Sequence, residues 1–389
     1  MAPDRKKKAS SAPREVLLMA VPNKSADMQW FTGFQAADAF PAFSFRGKKI
    51  GLLPLLEVAR AKAESELDVV HDLSAMILEL RKTNAQAGLA DAIVYAALQY
   101  GIKQFRVPED FPVGLFLRLQ ELGLQCIAAQ SSDALFPRRW IKSQKEIAGI
   151  IAGNRAASAG FTRVERILAE SKPSASGKLF WGGAVLTSEV LHTEIQMAVT
   201  SAGGLCDAGL ICAAGDQAVD CHQAGTGPIY QNQLIVVDIF PRHRASGNYG
   251  DMTRTYLKGR ARPKQRKMVE AVLEAQRRVI HALKAGKTGA EIHRIPVKYF
   301  KSLGYRTGEV KGQYVGFFHG TGHGLGYDIH ESPSLSSRYP HPLQAGQCVT
   351  VEPGLYYPGI GGCRIEDCVL ITRTGCRLLS SHSYQWEIP

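Results

Sequence analysis

Four apolar segments in the C-terminal half of the chain each carry an acid, and no other feature restricts the possible folds so strongly. LIVVDIF holds Asp238 in the middle of an apolar run, and NYGDMTRT puts Asp251 at the mouth of the next one. CVTVEPG carries Glu352, and GCRIEDCVLIT carries Glu366 and Asp367. Acids are depleted in strands, and an isolated buried carboxylate is very costly. A fold that buries these strands must supply the acids with counter-charge. A buried ion pair with Arg364 or Arg254 accounts for any one of them, but not for four together. Two divalent cations do, because four negative charges and two M²⁺ ions cancel. Period-2 alternation places Glu366 on the face of Arg364 and Asp367 on the opposite face, so either can be the fourth acid.

The nitrogen ligand that such a site needs is at hand in GTGHGLGYDIH. His323 stands among glycines, with His319 four residues before it and His330 seven after it. Glycine lets a backbone come close to a ligand, and histidines grouped in such a run suit metal binding or acid–base work. Hard oxygen donors plus one neutral imidazole favour Mn²⁺, with Co²⁺, Zn²⁺ or Fe²⁺ as substitutes, over a thiolate-seeking metal.

The frame around these motifs has two parts. The chain has 389 residues, 45% of them hydrophobic and 21% charged, which suits two globular domains. The expected division is a basic tail over 1–14, an α/β unit over 15–137 and an α+β unit over 138–389. In the first unit, strands are expected at Val16–Val21, Lys49–Leu53, Leu67–His71, Phe105–Pro108 and Cys126–Ala129. Helices are expected at Leu73–Arg81, Leu89–Tyr100 and Pro112–Leu122. Trp30 and Phe31 read as core aromatics, with a pocket wall as the alternative. In the second unit, apolar spacing predicts helices over Ile141–Ala169, Ser188–Ser201, Pro263–Ala285 and from Thr288 to before Gly304. The last opens with a Thr288-x-x-Glu291 capping box. Strands are expected at Leu234–Phe240, Thr253–Leu257, Val349–Tyr357 and Arg364–Thr372. Long helices on a mostly antiparallel sheet make an α+β domain.

Net charge is +12, part of it in MAPDRKKKASSAPR. That tail lacks the interleaved aromatics of a base-stacking surface and reads as solvated, so no nucleic-acid partner is expected. No run reaches the roughly 18 apolar residues of a membrane span, and no signal peptide is evident, so a cytoplasmic protein without a membrane partner is expected. The eight cysteines form no CxxC pair and read as reduced, which leaves a cysteine zinc site without support.

Taken together, DIF…GDMTRT, HGTGHGLGYDIHE, VTVEPGLYY and GGCRIEDCVLIT resemble the creatinase/aminopeptidase P/prolidase family, the pita-bread metallopeptidases. The spacings of 29 positions from His323 to Glu352 and 14 from Glu352 to Glu366 resemble its prolidase branch. WFTGF and LLEVARAKAES are similar, more weakly, to that family's N-terminal domain. The resemblance implies a pita-bread catalytic domain preceded by a smaller creatinase-like α/β domain, two divalent metals and a homodimer. It selects Glu366 over Asp367. It makes Asp238 a ligand of one metal, Asp251 and Glu366 bridges, and His323 and Glu352 ligands of the second. Glu352, His330, His222 and His319 become the catalytic candidates, and His222, His330 and Arg364 the substrate-binding ones. Arg338 and Tyr327 are weaker candidates.

The implied activity is hydrolysis of the bond before a proline at the second position of a peptide, through a metal-bridging hydroxide. A Xaa-Pro dipeptidase is expected first, an aminopeptidase P acting on longer peptides second, and a non-catalytic binding protein of the same fold third. Two departures stand out. The Asp238–Asp251 loop is a little longer than usual. Where prolidases have an arginine after the IHE segment, this chain has Ser334, with Arg338 as its candidate replacement.

Overall fold

A computed structural model describes residues 15–130, 135–310 and 312–389. The basic tail expected over 1–14 lies outside the described residues. The chain separates into two compact units, with the break after Arg139.

The first unit is built on a four-stranded sheet, in the order Leu17–Ala20, Phe40–Phe45, Lys48–Leu53, Val69–Asp72, with the last pair parallel. A parallel pair, Gln104–Val107 with Gln125–Ala128, extends it through one bridge from Val16 to Arg106. Ile93, Ala96 and Ala97 of the helix Leu89–Gln99 pack on Leu17, Phe43 and Phe105. Three elements were not anticipated from the sequence: the helices Ala26–Thr32 and Leu55–Glu64, and the strand Phe40–Phe45. The first is only seven residues long, too short to show a period, yet Ser25 caps its start and Gly33 (φ 58°) its end. The strand is apolar without alternation, a pattern that leaves its type open. Trp30 packs within this unit against Phe136, with ring centroids 5.1 Å apart, and reads as core.

The second unit has the α+β pita-bread arrangement. One sheet runs Ile211–Ala214, Ile235–Ile239, Met252–Lys258, Glu387–Ile388, antiparallel except for its last pair. The helices Gln144–Glu170 and Ser188–Ser201 cover it, burying Phe161, Val164, Leu191 and Ile195 against Ile235, Val237 and Ile239. A five-stranded antiparallel sheet runs Glu331–Leu335, Gly322–Gly324, Cys348–Val351, Asp367–Ile371, Cys376–Leu378. The helices Pro263–Ala282 and Gly289–Ser302 back it, with Val279, Leu283 and Ile292 on Val349, Val351 and Val369.

Helix starts obey their caps. Ser143 and Glu146 form a capping box, so the long helix begins at Gln144 rather than at Ile141; S-x-x-E is visible in the sequence and marks the better boundary. Thr288 and Glu291 form the expected one.

Two expected strands are each broken in two. Val349–Tyr357 separates into Cys348–Val351 and Gly354–Tyr357, and Arg364–Thr372 into Gly361–Arg364 and Asp367–Ile371. The outer halves pair with each other as a separate two-stranded ribbon. The breaks fall at Glu352-Pro353 and Ile365-Glu366, where the chain leaves one sheet for another. Period-2 alternation from Arg364 to Glu366 therefore has no physical basis, since no continuous strand joins them. Tertiary position decides that side chain instead.

Candidate metal centre

The sheets meet at a cleft of about 480 Å³, and its wall includes Asp238, Asp251, His323, Glu352 and Glu366. Asp238 is the next-to-last residue of an inner strand, paired with Ile211 on one side and Thr253 on the other. Asp251 sits one residue before its strand, its N–H donating to Asn154 Oδ1 at 2.9 Å. The long helix can approach this turn only because two glycines face each other. A Cβ on Gly153 would collide with the backbone nitrogen of Gly250. Glu352 and Glu366 occupy the two strand breaks, and the N–H of Glu366 donates to the carbonyl of Thr253 at 3.0 Å.

His323 is oriented from both sides. Its backbone N–H donates to Thr350 Oγ1 at 3.1 Å, and its Nδ1 lies 3.1 Å from the carbonyl of Gly324, which can only accept. The ring proton is thereby assigned to Nδ1, leaving Nε2 with a free lone pair. Nε2 is 3.5 Å from Glu352 Oε1 and 3.6 Å from Asp251 Oδ2. Burial lowers the His323 pKa, which keeps the ring in the neutral form that binds metals.

The acids oppose one another. Burial first, and then the charges of Glu366, Asp238 and Glu352, push the Asp251 carboxyl well above its ordinary range. Burial, with Glu352 and Asp238 adding to it, does the same to Glu366. Glu352 is pushed up to about 7, mainly by burial, with Arg364 pulling the other way. Thr253 Oγ1 donates to Glu366 Oε2 at 2.7 Å, yet Asp238 Oδ1 is buried with no hydrogen-bond partner. One donor atom each from Asp251, His323 and Glu366 lie within 4.8 Å of one another. A cation about 2.0–2.2 Å from each ligand spans donors up to roughly 4.4 Å apart, so the set is within a few tenths of an ångström of holding a divalent ion.

Arg364 is the buried cation among these acids, and it does not neutralise them. It donates to Asp238 Oδ2 at 2.7 Å, to the carbonyl of Cys221 at 3.1 Å, to Tyr356 Oη at 3.0 Å and to Thr253 Oγ1 at 3.3 Å. Four of its five N–H groups are so occupied, which leaves one for a ligand. Its fixed fork holds Asp238 by one oxygen and leaves the other facing the site.

The remaining candidates are distributed unevenly. His222 and His330 line the cleft, and the rings of His330 and His323 meet edge to face at 4.3 Å. His319 also lines it, but both ring nitrogens are engaged. Nδ1 donates to Gly320 O at 2.7 Å, and Nε2 accepts from Tyr356 Oη at 3.0 Å. Burial takes its pKa down to about 3, so it is neutral. Arg338 lines the cleft together with Ser334 and Ser336, whereas Tyr327 is not on its wall. Sequence reading gave no role to Tyr356 or Thr253. Neither had a signal, because what matters is a contact to Arg364 or Glu366 from a distant segment.

Asp367 is turned into the protein. Its Oδ1 takes Arg254 at 3.0 Å and Ser380 Oγ at 2.7 Å, and its Oδ2 takes Gln276 at 2.8 Å and Tyr384 at 2.7 Å. Asp367→Ala strands the Arg254 guanidinium in the interior and is expected to cost about 3–5 kcal/mol. Urea denaturation measures this, and an unchanged midpoint would refute it.

Comparison with known proteins agrees with this picture. The profile of metallopeptidase family M24 matches residues 148–373. The Xaa-Pro dipeptidase of Pyrococcus horikoshii is 29% identical over 286 residues, 74% of this chain and 75% of that protein. The Xaa-Pro dipeptidase of Pyrococcus furiosus is 40% identical over 152 residues, 39% of this chain and 41% of that protein, so this match spans less than half of the relative. The solved prolidase from Pyrococcus furiosus superposes with a TM-score of 0.74 at 25% identity, covering 95% of this chain and 97% of that one.

Proposed function

The chain belongs to metallopeptidase family M24, and on that premise we propose that it is a divalent-metal-dependent Xaa-Pro dipeptidase. The observation that carries this is the convergence of Asp238, Asp251, His323, Glu352 and Glu366 on one cleft, with more buried acid than Arg364 can balance. In this reading Asp238, Asp251, His323, Glu352 and Glu366 would together hold two divalent ions. Oxygen donors with a single imidazole favour Mn²⁺. When bound, the ions acidify a water and polarise the scissile carbonyl.

The protein's own groups then have distinct tasks. Glu352 carries a proton from the attacking water to the leaving proline nitrogen. His330 and His222, on the cleft wall, orient the substrate and donate to the oxygen on which charge develops. His319 supports Tyr356, which in turn holds Arg364 against Asp238. A proline amide has no N–H and resists ordinary peptidases, which is a reason for a dedicated enzyme. The test is hydrolysis of Xaa-Pro dipeptides and Xaa-Pro-Yaa peptides by purified protein with excess Mn²⁺. If both stay intact, the reading is wrong.

The second reading, an aminopeptidase for longer peptides, is favoured by Ser334 standing where prolidases carry an arginine. Among the described residues Arg338 makes no ion pair, and it lies on the cleft wall, placed to take the carboxylate of a dipeptide. Arg338→Ala is expected to raise the dipeptide KM about 10–100-fold, the worth of one charged hydrogen bond, with kcat nearly unchanged. A tripeptide with the same Xaa-Pro start should respond less. An unaltered dipeptide KM would favour the longer-peptide enzyme.

A homodimer, which rests on the resemblance, and a cytoplasmic location complete the proposal. No helix among the described residues is long and apolar enough to cross a membrane. Light scattering that gives the mass of a single chain would remove the dimer.

A further inference from the structure

We propose that Lys142 is a positioning residue for His330, acting through a buried ion pair with Glu331. The inference rests on the proposed role of His330 at the cleft. Lys142 lies just before the long helix, and its backbone is pinned: its N–H donates to the carbonyl of Gly346 at 2.8 Å, and Ile141 bridges Gln347. From there its side chain runs beneath the turn that joins the His323 strand to the next one and meets Glu331 Oε1. Both side chains are only 1% exposed.

The turn has a built-in place for the ammonium. A Cβ on Gly326 would lie 2.5 Å from Lys142 Nζ and 2.9 Å from Glu331 Oε1. The glycine is there for space, since any side chain would displace the pair. The start of the turn has anchors of its own. Leu325 N–H donates to Cys348 O at 3.2 Å, Gly326 N–H to Asp328 O at 3.0 Å, and Tyr249 N–H to Gly326 O at 2.8 Å. Among the described residues no hydrogen bond holds the His330 ring, and its edge-on contact with His323 is the ring contact that locates it. The residue after it, Glu331, is fixed by main-chain pairing with Gly324 and by Lys142. A buried charge that loses a partner is strongly destabilised, so the two members help to hold each other in place. The pair therefore clamps the end of the turn from which His330 projects. A catalytic group needs its supporting shell to hold it within about 0.5 Å, and a 1 Å error can cost about 100-fold in rate.

Three variants test this: Lys142→Met, Lys142→Arg and the double variant Lys142→Met/Glu331→Met. The double variant replaces the pair by apolar groups of similar volume, a change that tends to preserve stability. Turnover of a Xaa-Pro peptide and metal content are measured for each. So is the ring ¹⁵N–¹H spectrum of the metal-free protein, with the His330 signal assigned by its loss in His330→Asn. The expected result for Lys142→Met and for the double variant is a kcat about 10–100-fold lower, with KM and metal content unchanged. The His330 signal should be broadened or doubled in both, and Lys142→Arg should recover part of kcat. A double variant with wild-type kcat and a single unshifted His330 signal would overturn the proposal. So would variants that lose fold and metal together, since the pair would then serve folding alone. If the wild-type protein cleaves no Xaa-Pro peptide, the proposed activity fails, while the ring spectra still decide whether Lys142 positions His330.

Discussion

Asp251→Asn is expected to abolish divalent-metal binding and to lower turnover of Xaa-Pro peptides by on the order of 10⁴ or more, since the group that activates water is lost with the metal. The same change should make the metal-free protein more stable than metal-free wild type near pH 8. These effects have one cause. The Asp251 carboxyl is buried with Glu366, Asp238 and Glu352 around it, and burial first, with their charges adding to it, pushes its pKa up strongly. An amide keeps the shape, has no proton to take up when it is buried and offers a much poorer ligand. Opposite signs for function and unloaded stability are the mark of a site shaped for a cation rather than for the fold. Calorimetric titration with Mn²⁺ and thermal melts of the metal-free proteins measure the two effects. If the Asp251→Asn variant still bound metal and turned over peptide, Asp251 would leave the ligand set.

The second large effect is on the pH dependence of stability. Between about pH 6.5 and 8 the metal-free protein is expected to lose stability as pH rises, and added Mn²⁺ to stabilise it increasingly. Asp251 and Glu366 have folded-state pKa values well above their ordinary ones, and Glu352 sits at about 7. In that window the unfolded chain has ionised these acids, while the folded chain still holds protons. The folded state binds more protons, so raising the pH favours unfolding. Each group held protonated contributes a slope of about 1.4 kcal/mol per pH unit. Below about pH 6.5 the histidines oppose this trend. His319, His323 and His330 have lowered folded-state values, so protonation of the unfolded chain makes stability fall as pH falls there. Above 6.5 those rings are mostly neutral in both states, and the carboxyl effect stands alone. Metal binding displaces the protons, so its stabilisation grows with pH. A metal-free melting temperature that rises from pH 6.5 to 8 would show that the acids are neutralised by something else, and the metal assignment would fall with it.

Much of the site could be read from local pattern. Asp238, Asp251, Glu352 and Glu366 stood out because acids in apolar segments conflict with their surroundings, and His323 because glycines isolate it. The helix at Thr288 and the cap at Ser143 follow from side chains three residues from their partners, a range at which sequence and structure are nearly the same thing. The choice between Glu366 and Asp367 was of another kind. They are adjacent, and both are buried. One faces the cleft and the other is held by Arg254, Gln276, Ser380 and Tyr384, the first two of which lie 113 and 91 positions away.

The chain's own residues thus determined which chemistry this protein can support, because the energetic conflict of a buried acid is written wherever the acid stands. Tertiary structure decided which acid faces the cleft, as the resemblance had also implied, and it alone decided that Arg364 grips Asp238 across 126 positions and that Lys142 reaches Glu331 across 189. Strand and helix periods report only on near neighbours. Charge pairing depends on distance in space, which the folded chain sets and the order of residues does not.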